Sequence, residues 1–169
     1  MVSLVAELGQ LLKETNLTVA TAEACTSGLV AYRLCDQPGS SSYFYGGVIA
    51  YSRNSKTTVL GVSTELLLAY GSVSREVAID MAHRVMSIFD ADIGISTTGV
   101  SGPSGGTNEK PVGLFYVGMT TKYRDELVKE LHFNGDRATN KKNATDAALE
   151  MLRGYLLQQP FRRANPTDT

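Results

Sequence analysis

The chain has 169 residues, 43% of them hydrophobic, and a formal net charge of −1 at pH 7. This length and composition predict one soluble domain with a substantial core, which we place at residues 1–159. Sixteen basic and seventeen acidic residues are scattered rather than clustered, which argues against nucleic acid as a partner, and no apolar run is long enough to span a membrane.

Compartment and metal content follow from a few residue types. The first eight residues lack a basic start and carry an early acid, so they do not predict a signal peptide. Cys25 and Cys35 lie ten apart across one predicted helix, where a disulfide would have poor geometry; we therefore expect reduced thiols in a cytoplasmic protein. His83 and His132 are far apart and no Cys-x-x-Cys pair exists, so we predict no structural metal and no cofactor.

The first half of the chain alternates helical and extended patterns. Leucines at helical spacing predict an amphipathic helix that begins at Leu4 and ends near Asn16. Residues 18–28 start as a β-prone run and turn into small polar residues, which predicts a strand followed at once by a helix. Residues 36–42 are rich in Pro, Gly and Ser and form a loop. Aromatic and β-branched residues around a glycine pair predict a buried strand over 43–51.

The remaining elements follow in the same way. Short helical pieces are expected over 57–60 and 65–70, and Ser74 opens a longer helix. The face of that longer helix consists of apolar residues at helical spacing: Val77, Met81, Val85 and Ile88. A strand over 92–98 feeds a glycine-rich loop, two more strands cover 111–119 and 126–133, and a last helix follows Arg137. Residues 160–169 are polar, contain two prolines and are expected to be a disordered tail.

Helices before, between and after about five strands predict an α/β fold in which helices cover both faces of the sheet. Because some consecutive strands lack a helix long enough for a parallel crossover, we expect a mixed sheet rather than a fully parallel one. The fold class is therefore a three-layer α/β/α sandwich with a mixed central sheet.

The strand-to-helix junction at 18–28 is the first candidate site. A helix N-terminus exposes unpaired N–H groups and the positive end of a dipole, so it suits binding an anion or housing a nucleophile. Equally, Thr26 could simply cap the helix. Glu23, at the helix entrance, could orient Lys56 or satisfy backbone donors, and we favour the second, structural role.

The glycine-rich loop, residues 99–107, is the second candidate. It is not a P-loop, which needs Gly-Lys-Ser/Thr where this chain has Gly106-Thr107-Asn108, and its glycine spacing does not match the dinucleotide fingerprint. It is either a plain turn-rich loop or a flexible wall whose backbone N–H groups face a ligand; we favour the wall.

Four motifs, in order, resemble the CinA C-terminal domain family: AEACTSG at 22–28, YSRNSK at 51–56, SGPSGG at 101–106 and EKPVG at 109–113. Members of that family are nicotinamide-nucleotide amidases, also called NMN deamidases. The family's first motif reads AESCTGG, with its serine as the catalytic nucleophile. In this chain that position is Ala24, and the first glycine of the pair is Ser27.

The resemblance implies roles for further residues. A lysine and a tyrosine that activate the nucleophile match Lys56 and Tyr51. A residue that helps to hold the oxyanion matches Thr98, and it would act together with N–H groups near Thr26 and Ser27 at the helix start. The substrate-binding positions that it implies are Thr26, Gly28, Gly102, Gly105, Gly106 and Arg137, of which the arginine meets the nucleotide phosphate. The implied partner is nicotinamide mononucleotide or a similar small nucleotide, and the implied assembly is a homodimer.

The missing serine decides the functional hypothesis. Ala24 has no group that can attack a carbonyl, Cys25 points about 100° away in a helix, and Ser27 lies about one turn on, roughly 4–5 Å away. We therefore expect a catalytically impaired member with a binding or regulatory role. The alternatives are an active amidase that recruits Ser27 or Thr26, and a purely structural protein. For the first hypothesis, Ala24, Lys56 and Tyr51 must converge on one cavity, with Thr98 on its rim.

Overall fold

The structure is a computed structural model that describes residues 3–159, so the predicted tail at 160–169 lies outside the described residues. Eleven helices and strands, together with a 3-10 turn at Ser40–Ser42, make up the described chain. In chain order they are α1 Leu4–Thr15, β1 Val19–Glu23, α2 Leu29–Cys35, β2 Phe44–Ile49, α3 Arg53–Thr58, α4 Thr64–Tyr70, α5 Arg75–Phe89, β3 Ile93–Gly99, β4 Leu114–Thr121, β5 Glu126–His132 and α6 Arg137–Leu156.

The five strands form one sheet in the order β2-β1-β3-β4-β5. β1 pairs in parallel with β2 and with β3, whereas β4 is antiparallel to both β3 and β5. Helices α1, α2 and α6 pack on one face, and α5, with α4 against it, packs on the other. The predicted three-layer α/β/α fold with a mixed sheet is confirmed.

Each face of the sheet has its own hydrophobic core, as the alternation of side chains along a strand requires. The first core joins Val19 of β1 to fully buried leucines of α1 and α6, such as Leu12 and Leu152. The second joins Ala20 and Ala22, which point the opposite way from β1, to α5. Small residues on this side of β1 let α5 lie close to the sheet.

Several expectations about the elements need correction. The strand predicted to be buried over 43–51 is the edge strand β2, and none of its residues is buried. The helical piece predicted over 57–60 is α3, which begins at Arg53 and ends at Thr58. Ile88 is 50% exposed, so it does not belong to the buried face of α5, which Ala78 and Ala82 complete instead. β4 begins at Leu114 rather than at Pro111. The preceding Gly113 has φ +94°, and a Cβ there would lie 1.9 Å from the Phe133 carbonyl oxygen, so residues 111–113 turn tightly into the strand instead of extending it.

The strand order determines where a ligand can bind. From β1 the chain moves to β2 on one side and then, through α5, to β3 on the other side of β1. In open α/β sheets, ligands bind at the carboxyl ends of the strands where the order reverses in this way. Here that point is the crevice beyond Glu23 of β1 and Gly99 of β3.

Candidate functional site

A cavity of about 300 Å³ opens at this end of the sheet. Seven of the residues singled out from the sequence line it: Ala24, Tyr51, Lys56, Thr98, Gly102, Gly105 and Arg137. Ala24 and Lys56 are 6% and 2% exposed and form its floor, whereas Tyr51 is 57% exposed and lies at its mouth. The structure thus brings together residues that are up to 113 positions apart in the sequence.

The turn that leads from β1 into α2 is built around the carboxylate of Glu23. This side chain is buried and accepts hydrogen bonds from the N–H groups of Gly28 (2.9 Å), Val30 (3.2 Å) and Ala31 (2.8 Å). A buried acid therefore satisfies the first donors of α2, and the structural role favoured for Glu23 is confirmed. The expectation that these donors are free to bind an external anion is wrong.

The nucleophile position, Ala24, directly follows β1. Its N–H donates to the Thr97 carbonyl at 2.9 Å, which continues the pairing of β1 with β3 by one residue and fixes the methyl group on the cavity floor. Cys25 also lines the cavity, but burial raises the pKa of its thiol to about 12. A thiol in this state is a poor nucleophile.

Lys56 brings an amine to the cavity floor. A capping box between Ser52 and Ser55 fixes the start of α3, and the Lys56 Nζ donates to the Ala50 carbonyl at 2.8 Å. No carboxylate within residues 3–159 forms an ion pair with Lys56. Burial lowers the pKa of this amine, and nearby Cys25 opposes the effect. A lowered pKa raises the fraction of free amine, the form that takes up a proton or attacks a carbonyl carbon.

The mouth of the cavity carries a guanidinium cation. Arg137, the first residue of α6, donates from Nη2 to the Tyr51 hydroxyl at 2.9 Å and from Nη1 to the Gly102 carbonyl at 2.8 Å. Both acceptors are neutral, and Arg137 has no carboxylate partner in the described part of the chain. An uncompensated guanidinium at a cavity mouth suits a phosphate or a carboxylate.

The glycine-rich loop is held against the start of α6. Asn140 is fully buried, donates to the Ser101 carbonyl at 3.2 Å and accepts the N–H of Gly135 at 3.0 Å. Together with the bond from Arg137 to Gly102, this fixes the loop as one wall of the cavity. The interpretation of the loop as a wall thus has a structural basis in α6.

Thr98 lines the cavity, but its hydroxyl is engaged elsewhere. Its Oγ1 donates to the Ser72 carbonyl at 2.7 Å. A hydroxyl has one proton, so Thr98 donates no hydrogen bond from its side chain into the cavity in this arrangement. The bond instead ties β3 to the connection between α4 and α5.

Four of the residues singled out from the sequence lie outside the cavity lining: Thr26, Ser27, Gly28 and Gly106. The Thr26 hydroxyl is buried between Glu23 and Thr97, and Gly28, not Thr26, is the N-cap of α2. The Ser27 hydroxyl lies 3.5 Å from the Ala24 carbonyl and receives a hydrogen bond from Lys141. Gly106 packs against the backbone of Val112.

Sequence reasoning missed several lining residues. Ser72 and Val73 come from the connection between α4 and α5, which carries no motif and which we interpreted as scaffold. Ser101 and Ser104 lie in the glycine-rich loop and were noticed only as part of its pattern. Asn140, which supports the loop from behind, sits within an otherwise ordinary polar helix start. Only the tertiary structure brings these residues to the site.

Residues 3–159 contain no group of three or more His, Cys, Asp or Glu placed to hold a metal ion. Within the same range, no helix is long and apolar enough to cross a membrane.

The chain is similar to known proteins over most of its length. The family model described as the CinA C-terminal domain matches residues 1–156. A relative from Clostridium novyi, named as competence-damage inducible, is 48% identical over 155 residues. The match covers 92% of this chain but 37% of the relative, so the chain spans little more than a third of the length of that relative.

Solved structures resemble the whole fold. The competence/damage inducible protein CihA from Agrobacterium tumefaciens is 35% identical, with a TM-score of 0.85 over 94% of this chain and 98% of that chain. The competence damage-inducible protein A from Klebsiella pneumoniae is 30% identical, with a TM-score of 0.88 over 93% of this chain and 97% of that chain.

Proposed function

Because this chain belongs to the CinA C-terminal domain family, we propose that it is a catalytically impaired nicotinamide-nucleotide amidase that retains a nucleotide-binding pocket. Its role is then binding or regulation rather than turnover. One observation carries the proposal: the methyl group of Ala24 lies on the floor of the cavity that Lys56 and Tyr51 also line. In this proposal Lys56 and Tyr51 are the groups that would activate a nucleophile, and Ala24 supplies none.

The size of the expected defect follows from how hydrolases of this type work. Covalent catalysis needs a nucleophile within hydrogen-bond reach of its base, and removing a catalytic serine can lower turnover on the order of a millionfold. Ala24 offers only a methyl group, and the Cys25 thiol is held protonated by burial. The remaining pocket can orient a substrate, but it has no group at residue 24 to form the acyl intermediate.

Recruitment of Ser27 as a displaced nucleophile is the less favoured alternative. Ser27 is not a lining residue of the cavity, and its hydroxyl is directed to the Ala24 carbonyl and to Lys141. Moving it to the floor would require the turn around Glu23 to rearrange. That turn is held by four hydrogen bonds to one carboxylate.

The pocket has the charge expected for a nucleotide monophosphate. Arg137 supplies an uncompensated guanidinium at the mouth, and the glycine-rich loop supplies a wall without bulky side chains. A planar guanidinium binds two phosphate oxygens at once. The ligand that we propose is therefore nicotinamide mononucleotide or a close relative.

Calorimetric titration with nicotinamide mononucleotide tests the binding role. We expect wild-type protein to bind, and Arg137→Ala to weaken binding by about 1.5–3 kcal/mol, or roughly 10- to 150-fold in Kd, because a hydrogen bond to a charged group is lost. Arg84→Ala is the matched control, since Arg84 pairs with Asp80 on α5 and does not line the cavity. Undetectable binding at millimolar nucleotide would contradict the proposal.

The same resemblance supports three further proposals. We propose that residues 1–159 act as one domain, that the protein is a homodimer, and that it works in the cytoplasm. Light scattering coupled to size exclusion would give the mass in solution, and the mass of a monomer would contradict the dimer.

A further inference from the structure

We propose that Lys56 forms an imine with small aldehydes or ketones that carry an anionic group and enter the same cavity. This activity goes beyond the nucleotide binding proposed above and does not depend on it. It would make the site a covalent trap for carbonyl compounds, with an amine rather than a hydroxyl as the nucleophile.

The hydrogen-bond partners of Lys56 carry this inference. A free amine has two N–H donors and one lone pair. The Lys56 Nζ donates once, to the Ala50 carbonyl at 2.8 Å, and it has no other hydrogen-bond or ion-pair partner within residues 3–159. Residue 24, on the same floor, offers a methyl group that cannot occupy the lone pair. The lone pair is therefore available to a molecule in the cavity.

The surroundings favour the uncharged form of this amine. Lys56 is 2% exposed, so water solvates its charged form poorly, and burial lowers its pKa. A lysine that is desolvated in a pocket is the usual source of an imine-forming amine. Lys142 is in a different environment: its side chain is 69% exposed and pairs with Asp146 at 2.7 Å.

The reaction balances without an added oxidant or reductant. The Nζ lone pair forms a bond to the carbonyl carbon, a proton moves from nitrogen to the new oxygen, and water leaves as the C=N bond forms. The second N–H proton of the amine leaves with the new hydroxyl group as this water, so the atoms balance.

Arg137 determines which carbonyl compounds are favoured. Its guanidinium lies at the mouth without a carboxylate partner among the described residues, while Lys56 lies on the floor. A molecule with a carbonyl at one end and a phosphate or carboxylate at the other can meet both groups. The chemical class is therefore an anionic aldehyde or ketone.

The test uses two aldehydes that differ by one phosphate, pyridoxal 5′-phosphate and pyridoxal. Wild-type protein is incubated with each at pH 7 in the presence of cyanoborohydride, and peptide mass spectrometry measures the labelling rate of every lysine. With the phosphorylated probe, we expect Lys56 to be labelled at least about tenfold faster than Lys142, because Arg137 at the cavity mouth holds the phosphate and so places the aldehyde near Lys56. Labelling of Lys56 no faster than that of Lys142 would overturn the proposal.

Arg137→Ala tests the preference for carbonyl compounds that carry an anionic group. We expect it to slow Lys56 labelling by pyridoxal 5′-phosphate at least about fivefold more than it slows labelling by pyridoxal, because only the phosphorylated probe loses a charged partner. An equal effect on both probes would contradict the anionic preference. If calorimetry shows no binding of nicotinamide mononucleotide while Lys56 is labelled selectively, the proposed function fails and the imine activity stands. If the nucleotide binds but Lys56 is not labelled selectively, the imine proposal fails and the proposed function stands.

Discussion

The carboxylate of Glu23 should be the side chain on which the floor of the site depends most. Its Oε2 accepts bonds from the Thr26 hydroxyl and from the N–H groups of Gly28 and Val30, and its Oε1 accepts the N–H of Ala31. Glu23→Gln keeps the shape of the side chain, but its NH₂ group can replace only one of the two oxygens. At least one backbone N–H then faces a donor instead of an acceptor.

The expected cost combines two opposing effects. The lost bond to a charged acceptor costs about 1.5–3 kcal/mol, and the bonds that remain weaken because the acceptor becomes neutral. Against this, the amide no longer buries a charge, which returns part of the desolvation penalty. We therefore expect Glu23→Gln to lower the free energy of unfolding by about 2–4 kcal/mol. That is a large fraction of the roughly 5–15 kcal/mol typical of a domain.

Urea denaturation followed by circular dichroism measures this loss, with Glu7→Gln as the matched control. Glu7 pairs with Arg153 at 2.9 Å on the surface, where a side chain about one-third exposed gives an ion pair worth about 0.2–1 kcal/mol. If Glu23→Gln and Glu7→Gln lowered the free energy of unfolding equally, with unchanged m-values, the inference that Glu23 organises the turn would be refuted.

Two further predictions concern Ser27 and Lys56. Ser27→Gly should raise the free energy of unfolding by about 0.5–1 kcal/mol, because Ser27 has φ +55°, a conformation that favours glycine, and its bond to Lys141 is weak at 3.2 Å; a lower melting temperature would contradict this. Burial lowers the pKa of Lys56 in the folded state. Between that lowered pKa and 10.5, the unfolded chain therefore binds more protons than the folded chain. The stability of wild type relative to Lys56→Met should thus rise with pH, by up to about 1.4 kcal/mol per pH unit between the folded-state pKa and 10.5; a pH-independent difference would contradict this.

The fold was predictable because hydrophobic spacing differs clearly between its helices and strands. Leucines at helical spacing placed α1, and the β-branched and aromatic run placed β2. The errors came where the backbone conformation depends on distant atoms. β4 begins late because Gly113 turns against the Phe133 carbonyl, and Phe133 is 20 positions away.

The candidate site was predictable only where motifs marked it. Short sequence motifs that resemble a family indicated four residues that line one cavity: Ala24, Tyr51, Lys56 and Arg137. The helix start showed the limit of local reasoning: its pattern is the same whether an external anion or the buried Glu23 accepts the first N–H groups. Ser72 has no local signal at all, because it reaches the cavity through the path of the chain between α4 and α5.

Ammonia release from nicotinamide mononucleotide tests most directly whether the missing nucleophile at residue 24 abolishes amidase activity. We expect wild-type protein to remain near background, and Ala24→Ser to raise the rate at least about a hundredfold by placing a hydroxyl beside Lys56 and Tyr51. Ala24→Ser combined with Ser27→Gly should recover more, since Ser27 has φ +55°, a conformation that favours glycine, and the double variant also removes its side chain from the turn. Wild-type turnover at an ordinary rate of about 10 per second, lost on Ser27→Ala, would contradict the account and identify Ser27 as the nucleophile.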